Sequence, residues 1–377
     1  MVENNISIRE IAKLFFKLGV IGFGGPAAHI AMMQDEVVTK KKWLSDQHFL
    51  DLMGATNLIP GPNSTEMAIH IGREKGGWKG LIVAGLCFIL PAVFITGILA
   101  WLYKNYGQLP EIQPFVYGIK PAIIAIIIGA IFPLAKKSLK SAELIFLAFL
   151  VLFGAFCNIN EIYLMFVAGF LALTLTYISS PKSHDIHSFV PLALVPLGST
   201  SILAASNTKL FWIFLKIGSI LYGSGYVLFA FLDAELVSTG MLSRQQLIDA
   251  IAVGQFTPGP VFSSVTFIGY QLNGWTGAVI STLAIFLPSF IFVALLNPLV
   301  KKMRNSHLFS SFLDAVNVAS VALIVAICIE MGKDTISDWR TILIAIVSII
   351  FAFGYRKLNS AFIVIGGAVF GWLLSMV

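Results

Sequence analysis

Residues 15–25 read FFKLGVIGFGG, and residues 214–224 read FLKIGSILYGS. Both are apolar runs with a lysine in third place and a glycine-rich break at the end. The likeness continues outward. Asp51 matches Asp249, NLIPGP at 57–62 matches QFTPGP at 255–260, and IGREKGGWKG at 71–80 matches IGYQLNGWTG at 268–277. LPAVF at 90–94 then matches LPSFI at 287–291, and GIKPAIIAI at 118–126 matches AVNVASVAL at 315–323. The offset drifts only from 199 to 197. Apolar helices resemble one another by chance, but chance does not set glycine, proline and lysine in one order at one spacing. The chain therefore reads as an internal duplication. Residues 1–178 form one repeat, 209–377 form the second, and 179–208 join them.

The 377 residues are 57% apolar and 12% charged, with a mean hydropathy of +0.87. Soluble domains carry roughly twice that share of charge, and a soluble fold of this size could not hide so much apolar surface. The composition excludes an ordinary cytosolic enzyme, a nucleic-acid-binding module and a disordered chain. It predicts an all-α polytopic membrane protein. The net charge of +6 sits in short clusters between apolar runs, as membrane orientation requires. Cys87, Cys157 and Cys328 lie in or beside apolar runs with no metal-ligand spacing, so they read as small buried hydrophobes. The N-terminus, MVENNISIREIAK, carries acidic residues and lacks the short apolar core of a cleaved signal.

Continuous spans are expected at 78–103, 114–134, 142–158, 162–178, 275–300, 312–332, 340–354 and 358–377, with a weaker run at 189–205. Four more apolar stretches are interrupted. They are 8–38, broken at Gly22–Pro26; 47–74, broken at Pro60-Gly61-Pro62; 209–237, broken at Gly223-Ser224-Gly225; and 247–271, broken at Pro258-Gly259-Pro260. Each half of such a stretch reaches only part of the way through a bilayer. The stretches read as re-entrant hairpins, two per repeat, beside about four full spans.

With the N-terminus in the cytoplasm and 189–205 crossing, most lysines and arginines fall on the cytoplasmic side. The positive-inside rule thus favours two inverted repeats. The expected location is the inner (plasma) membrane, with the C-terminus extracytoplasmic. Gly77-Trp78 and Gly274-Trp275 would set indoles at the interface.

A helix that starts inside a membrane has bare N–H groups and a positive dipole end, which together can hold an anion. Gly24, Gly25 and Pro26 suit such a start. So do Pro62, with Asn63 or Ser64 able to cap, and in the second half Gly223, Ser224, Gly225, Pro260 and Ser263. Two-fold inversion would gather the four starts. Lys17 and Lys216, paired by the repeat, and Lys120, opposite Asn317, could supply charge. The alternative for these lysines is snorkelling, or pairing with Glu36, Glu235 or Asp51. Glu66 and His70, four apart on one face, are candidates for proton coupling, against an ordinary helical polar contact. Their counterparts in the second repeat do not titrate. His29 and Gln34 are weaker candidates of the same kind. No nucleotide-binding loop, nucleophile elbow or metalloprotease motif is present, so neither an enzyme nor a cofactor or metal is expected.

The motifs resemble those of the chromate ion transporter family in its long, two-domain form. The likeness rests on Phe15-Phe16-Lys17-Leu18-Gly19 through Phe23-Gly24-Gly25-Pro26-Ala27-Ala28-His29, with Glu36, Trp43-Leu44, Phe49, Pro60-Gly61-Pro62-Asn63, Gly72 and Gly77-Trp78 downstream. The second half adds Thr257–Phe262 and Phe267–Tyr270. The resemblance implies export of chromate, a sulfate analogue, by two oppositely oriented halves. One departure is that Gly223-Ser224-Gly225 stands where the first half has Gly24-Gly25-Pro26, so the two sites need not be equivalent. The expected function is transport of a tetrahedral divalent oxyanion. A passive anion channel, a membrane enzyme acting on a lipid phosphate and a scaffold subunit are the rivals. The expected partners are the oxyanion, the bilayer and, in one reading, a second copy of the chain in a homodimer; nucleic acid is not expected.

Overall fold

The computed structural model describes residues 6–23, 25–107, 109–179, 206–223, 225–304, 307–354 and 359–376. The expectations placed on Gly24, Ser224 and the 189–205 run lie outside the described residues. Every regular element described is helical.

The first repeat contains α1 (Ile8–Ile21), α2 (Gly25–Gln34) running into a π-helical turn (Asp35–Lys40), α3 (Asp46–Thr56), α4 (Asn63–Tyr106), α5 (Gln113–Ser138), α6 (Ala142–Phe156) and α7 (Glu161–Ser179). The second contains α8 (Asn207–Ile220), α9 (Val227–Leu232) running into a π-helical turn (Asp233–Val237), α10 (Arg244–Phe256), a 3-10 turn (Val261–Ser263), α11 (Ser264–Arg304), α12 (His307–Thr335), α13 (Trp339–Gly354) and α14 (Ser360–Leu374). All four expected interruptions are real breaks between helices.

Both α4 and α11 fold back on themselves as a short arm and a long span. The corners fall at Gly76–Gly77 and Asn273–Gly274, where Gly77 and Gly274 take φ of 57° and 62°. Trp78 and Trp275, just past the corners, are exposed. Of the eight expected spans, the long arms of α4 and α11 and helices α5, α7 and α12 are long and apolar enough to cross a bilayer. The remaining three, α6, α13 and α14, are apolar but only 15 or 16 residues long, about 22–24 Å against a hydrocarbon core of about 30 Å. Phe94, Phe146, Phe149, Phe153 and Phe362 point outward from the spans, an apolar perimeter that belongs in lipid.

The helices form two units that interleave the repeats. In one, α1 packs on α4, α8 on α11, and α4 on α11. The other is a six-helix bundle in which α5 packs on α13 and α14 while α12 packs on α6 and α7. Each repeat thus lends its first long helix of this bundle to the last two helices of the other. At the α5–α14 crossing the backbones nearly touch, since a Cβ on Gly118 would lie 2.7 Å from the Gly371 Cα.

Side-chain contacts give the helix directions. The start of α5 meets the far end of α12 through the hydrogen bond from Tyr117 to Asp338, and the end of α5 meets the start of α12 through Lys140 and Asp314, 3.0 Å apart. The long arms of α4 and α11 also run oppositely. Gly97 faces Trp275, and Gly85 faces Phe290. Equivalent helices are therefore antiparallel, which is the geometry of inverted repeats. The start of α1 sits at the Gly76 corner, with the Ile6 N–H donating to the Lys75 carbonyl. The end of α14 stacks Trp372 on Phe115 at the start of α5. These two ends occupy opposite rims of the molecule, called here the first and second rim.

Candidate functional site

Most helix starts are finished by side chains: Ser7, Ser45, Ser141, Ser206, Ser243 and Asn359 cap α1, α3, α6, α8, α10 and α14, whereas α5, which starts at the second rim, has no side-chain cap. The starts of α4, α9 and the Val261 turn have no side-chain cap. Asn63 does not cap α4; its amide donates to Asn57 at 2.9 Å instead. Bare N–H groups therefore remain in the interior, where each needs a partner.

The breaks of one repeat are tied to those of the other. The Gly61 N–H donates to the Leu221 carbonyl at 2.8 Å, and the Gly259 N–H donates to the Gly22 carbonyl at 2.6 Å. These bonds are equivalents under the repeat, so each Pro-Gly-Pro loop crosses to the first hairpin of the opposite half. A Cβ on Gly225 would lie 3.9 Å from both the Pro26 ring and Val261, so the starts of α2, α9 and the Val261 turn adjoin. Pro62 and Pro260 lead into the arms that carry buried Ser64 and Ser263. The breaks thus form one cluster.

The lysines lie elsewhere. Lys17 Nζ donates to Glu36 at 2.8 Å, and Lys216 Nζ donates to Glu235 at 2.5 Å. The two pairs are again equivalents, and each clamps a π-helical turn to the first helix of its hairpin. Lys40 also reaches Glu36, at 3.2 Å. Lys120 acts on Asp249 of α10, whose carboxylate accepts from Tyr103 at 2.5 Å. Asn317, the counterpart of Lys120, does stand at a break: a Cβ on Gly223 would lie 3.4 Å from its Oδ1.

Buried polar atoms surround the cluster. Glu66 is wholly buried, with Oε1 accepting from Ser289 at 3.3 Å and Oε2 unpartnered. His70 is buried with Nε2 unpartnered. The Nε2–H of His29 donates to the Gly22 carbonyl at 2.9 Å, and Nδ1 is unpartnered. The amide Nε2 of Gln255 and the Oγ of Ser264 are also buried and unpartnered. Tyr226 bonds the Gln255 side chain and lies 4.0 Å from where a Cβ on Gly25 would stand. Sequence reasoning did not single out Tyr226 and Gln255. The only signal was Gln255 in the matched pair NLIPGP and QFTPGP, one polar side chain opposite another. A region with bare helix starts, amide, hydroxyl and imidazole groups, and a buried carboxyl beside it, can bind an anion and exchange a proton. Among the described residues no group of three His, Cys, Asp or Glu side chains could hold a metal.

The chromate transporter family profile matches residues 9–173 and again 208–372. A chromate transport protein of Cupriavidus metallidurans is 31% identical over 97% of this chain and 92% of its own length. A probable chromate transport protein of Synechococcus elongatus is 29% identical over 97% of this chain and 95% of its own length. An uncharacterized transporter of Bacillus subtilis, YwrA, is 28% identical over 34% of this chain and 71% of its own length, a match on the scale of one repeat. No solved structure matches. With the profile matched twice along most of its length, the chain belongs to the chromate transporter family.

Proposed function

We propose that this protein transports a tetrahedral divalent oxyanion, chromate foremost and sulfate as its analogue, across the plasma membrane. The observation that carries the reading is the reciprocal pair of bonds, Gly61 to Leu221 and Gly259 to Gly22, which gathers uncapped helix starts in one interior cluster. The bare N–H groups that follow Gly25, Pro62, Gly225 and Pro260, with Ser64, Ser263, Tyr226 and Gln255, replace the hydration shell of the anion. Glu66 and His70 are the candidates for proton coupling. A buried carboxylate beside a dianion is unfavourable unless it takes up a proton. Lys17 and Lys216 act indirectly, by holding the hairpins on Glu36 and Glu235. The first rim, which carries Arg9, Lys13, Lys40, Lys41, Lys42, Lys136 and Lys137, faces the cytoplasm by the positive-inside rule. Residues 179–208 join the two repeats in the chain.

Flux of labelled chromate and labelled sulfate in proteoliposomes, with and without a pH gradient, tests the reading. Uptake against a concentration gradient, lowered by Gln255→Ala in folded protein, is the expected result. Flux that only follows the gradient would make the protein a channel. No flux of either anion would overturn the assignment.

A further inference from the structure

The pseudo-symmetry described above is broken at one place, and the break has a direction. The six-helix bundle packs against α9 and α10 of the second repeat, through α5, α7, α12 and α14. Helices α2 and α3, their counterparts, make no comparable packing with the bundle. Burial records the same difference. All six residues of α9 are buried, but of α2 only His29 and Met33. In α10 eight residues are buried; in α3 only Phe49, Leu52, Ala55 and Thr56. The bundle is closed onto the hairpins of the second rim and stands away from those of the first.

The closed side carries an ion-pair network. Arg244, the first residue of α10, bonds Asp233 at 3.2 Å and Glu330 on α12 at 3.1 Å, and stands within ion-pair distance, 3.8 Å, of Asp334 on the same helix. Under the repeat offsets, Arg244 corresponds to Asp46, Asp233 to Gln34, and Asp334 to Lys137. The inner contact is conserved in place, with Gln34 bonding Asp46 at 3.4 Å as Asp233 bonds Arg244. The outer contact has its signs exchanged: arginine on the hairpin and aspartate on the bundle at one rim, aspartate on the hairpin and lysine on the bundle at the other. Only the first of these is formed. Asp46 and Lys137 are both exposed, and no ion pair joins them.

The geometry points to two alternating gates. Resting on the transporter reading, the pair Arg244–Asp334, with Glu330, closes the second rim in the conformation seen here, and Asp46–Lys137 closes the first rim after the bundle rocks across. The gates are mutually exclusive because both draw on the same rigid bundle. The same movement takes Lys120 from Asp249 toward the break before α2, just as its counterpart Asn317 already stands beside Gly223 at the break before α9, so the lysine meets the anion site only when the first rim is closed. Asp233, Glu330 and Glu161, with Arg244 among them, line a cleft at the second rim, and Lys40, Lys41, Lys42, Lys136 and Lys137 flank the first, so the first rim is the one whose charge attracts an anion.

The test uses the full chain with charge reversal and cross-linking. Asp46→Lys sets two lysines against each other only in the alternate conformation. It should lower sulfate flux at least tenfold while the protein stays folded, with an unfolding temperature only a few degrees lower from loss of the Gln34 contact and of the acid in the first turn of α3. The combined Asp46→Lys, Lys137→Asp protein, with the pair restored in opposite order, should recover flux to within about threefold. Independently of flux, paired cysteines at 244 and 334 should cross-link in substrate-free membranes, whereas a pair at 46 and 137 should cross-link only during exchange with sulfate on both sides. Unimpaired flux in Asp46→Lys, no rescue by the swap, or cross-linking of both pairs together would overturn the gating scheme. Absent flux in the unaltered protein would instead remove the transporter reading, and the cross-linking would still report whether two states exist.

Discussion

The paired bridges Lys17–Glu36 and Lys216–Glu235 separate two roles for a lysine near an anion path, namely binding the anion and bracing the hairpin. The lysine side chain is 52% exposed in the first bridge and 24% in the second; the glutamates are 11% and 14% exposed. Exposed pairs contribute about 0.2–1 kcal/mol, and removing one partner of a fully buried pair costs about 3–5 kcal/mol. The first bridge belongs near the exposed limit, and Lys40 is also at hand to take over Glu36. Lys17→Ala should therefore cost about 0.5 kcal/mol. The second bridge is shorter and less exposed, and Lys216 is the cation that Glu235 meets. Lys216→Ala should cost about 1–2 kcal/mol, between the two limits.

A double-mutant cycle on each pair, read by thermal unfolding in detergent and by flux, checks this. If the lysines brace the hairpins, Lys216→Ala, Glu235→Ala and the double variant should depress flux to a similar degree, with coupling near the full single-variant effect. The 17–36 cycle should show the same pattern more weakly. Loss of flux in Lys216→Ala with normal flux in Glu235→Ala, and additive stabilities, would refute the reasoning, because the lysine would then be serving the anion and not the carboxylate.

Other expectations follow from the same contacts. Gly259 takes φ of +90°, and a Cβ there would stand 2.8 Å from that of Ala92. Gly259→Ala should cost about 1–3 kcal/mol in backbone strain and more in overlap, with loss of flux; Gly77→Ala, at φ of +57° and ψ of −146° with open space around it, should cost about 1–3 kcal/mol in strain alone and keep flux in the folded protein. Retained flux in the Gly259 variant, or lost flux in folded Gly77→Ala, would contradict this. Glu66→Gln should abolish stimulation of flux by a pH gradient while exchange at equal pH persists, and a retained pH response would remove Glu66 from the coupling. At the second rim, the Tyr117 hydroxyl and then the Thr341 N–H hold the Asp338 carboxyl below its ordinary value. Depression means stability that is present above the ordinary aspartate value and lost as pH falls through the lowered one. Asp338→Ala should therefore destabilise by about 1 kcal/mol at neutral pH, and the difference from the unaltered protein should shrink in acid; a difference constant down to pH 2 would count against it.

The helix breaks were legible in the sequence because they are local. Pro60-Gly61-Pro62 and Pro258-Gly259-Pro260 cannot continue a helix wherever they are placed, and the duplication says which breaks correspond. The inverted relation was legible from charge, since the lysines must share a side. The fate of Lys17 and Lys216 was not. A lysine beside a break serves an anion or a carboxylate equally well by spacing, and the choice falls to the π-helical turns, which swing Glu36 and Glu235 back over α1 and α8 by an extra residue. Nor could sequence say which hairpins the six-helix bundle would lean on. Asp249 and Asp51, Lys120 and Asn317, Arg244 and Asp46 are offered in matched positions, so two dockings compete over nearly the same landmarks. What tips the balance here is the small difference within each pair: Lys120 answers Asp249 as a charge where Asn317 can offer Asp51 only an amide, and Arg244 finds two carboxylates on α12 where Asp46 would find lysines on α5. Differences of that size bias a two-state equilibrium without locking it, and a transporter needs both of its conformations within reach.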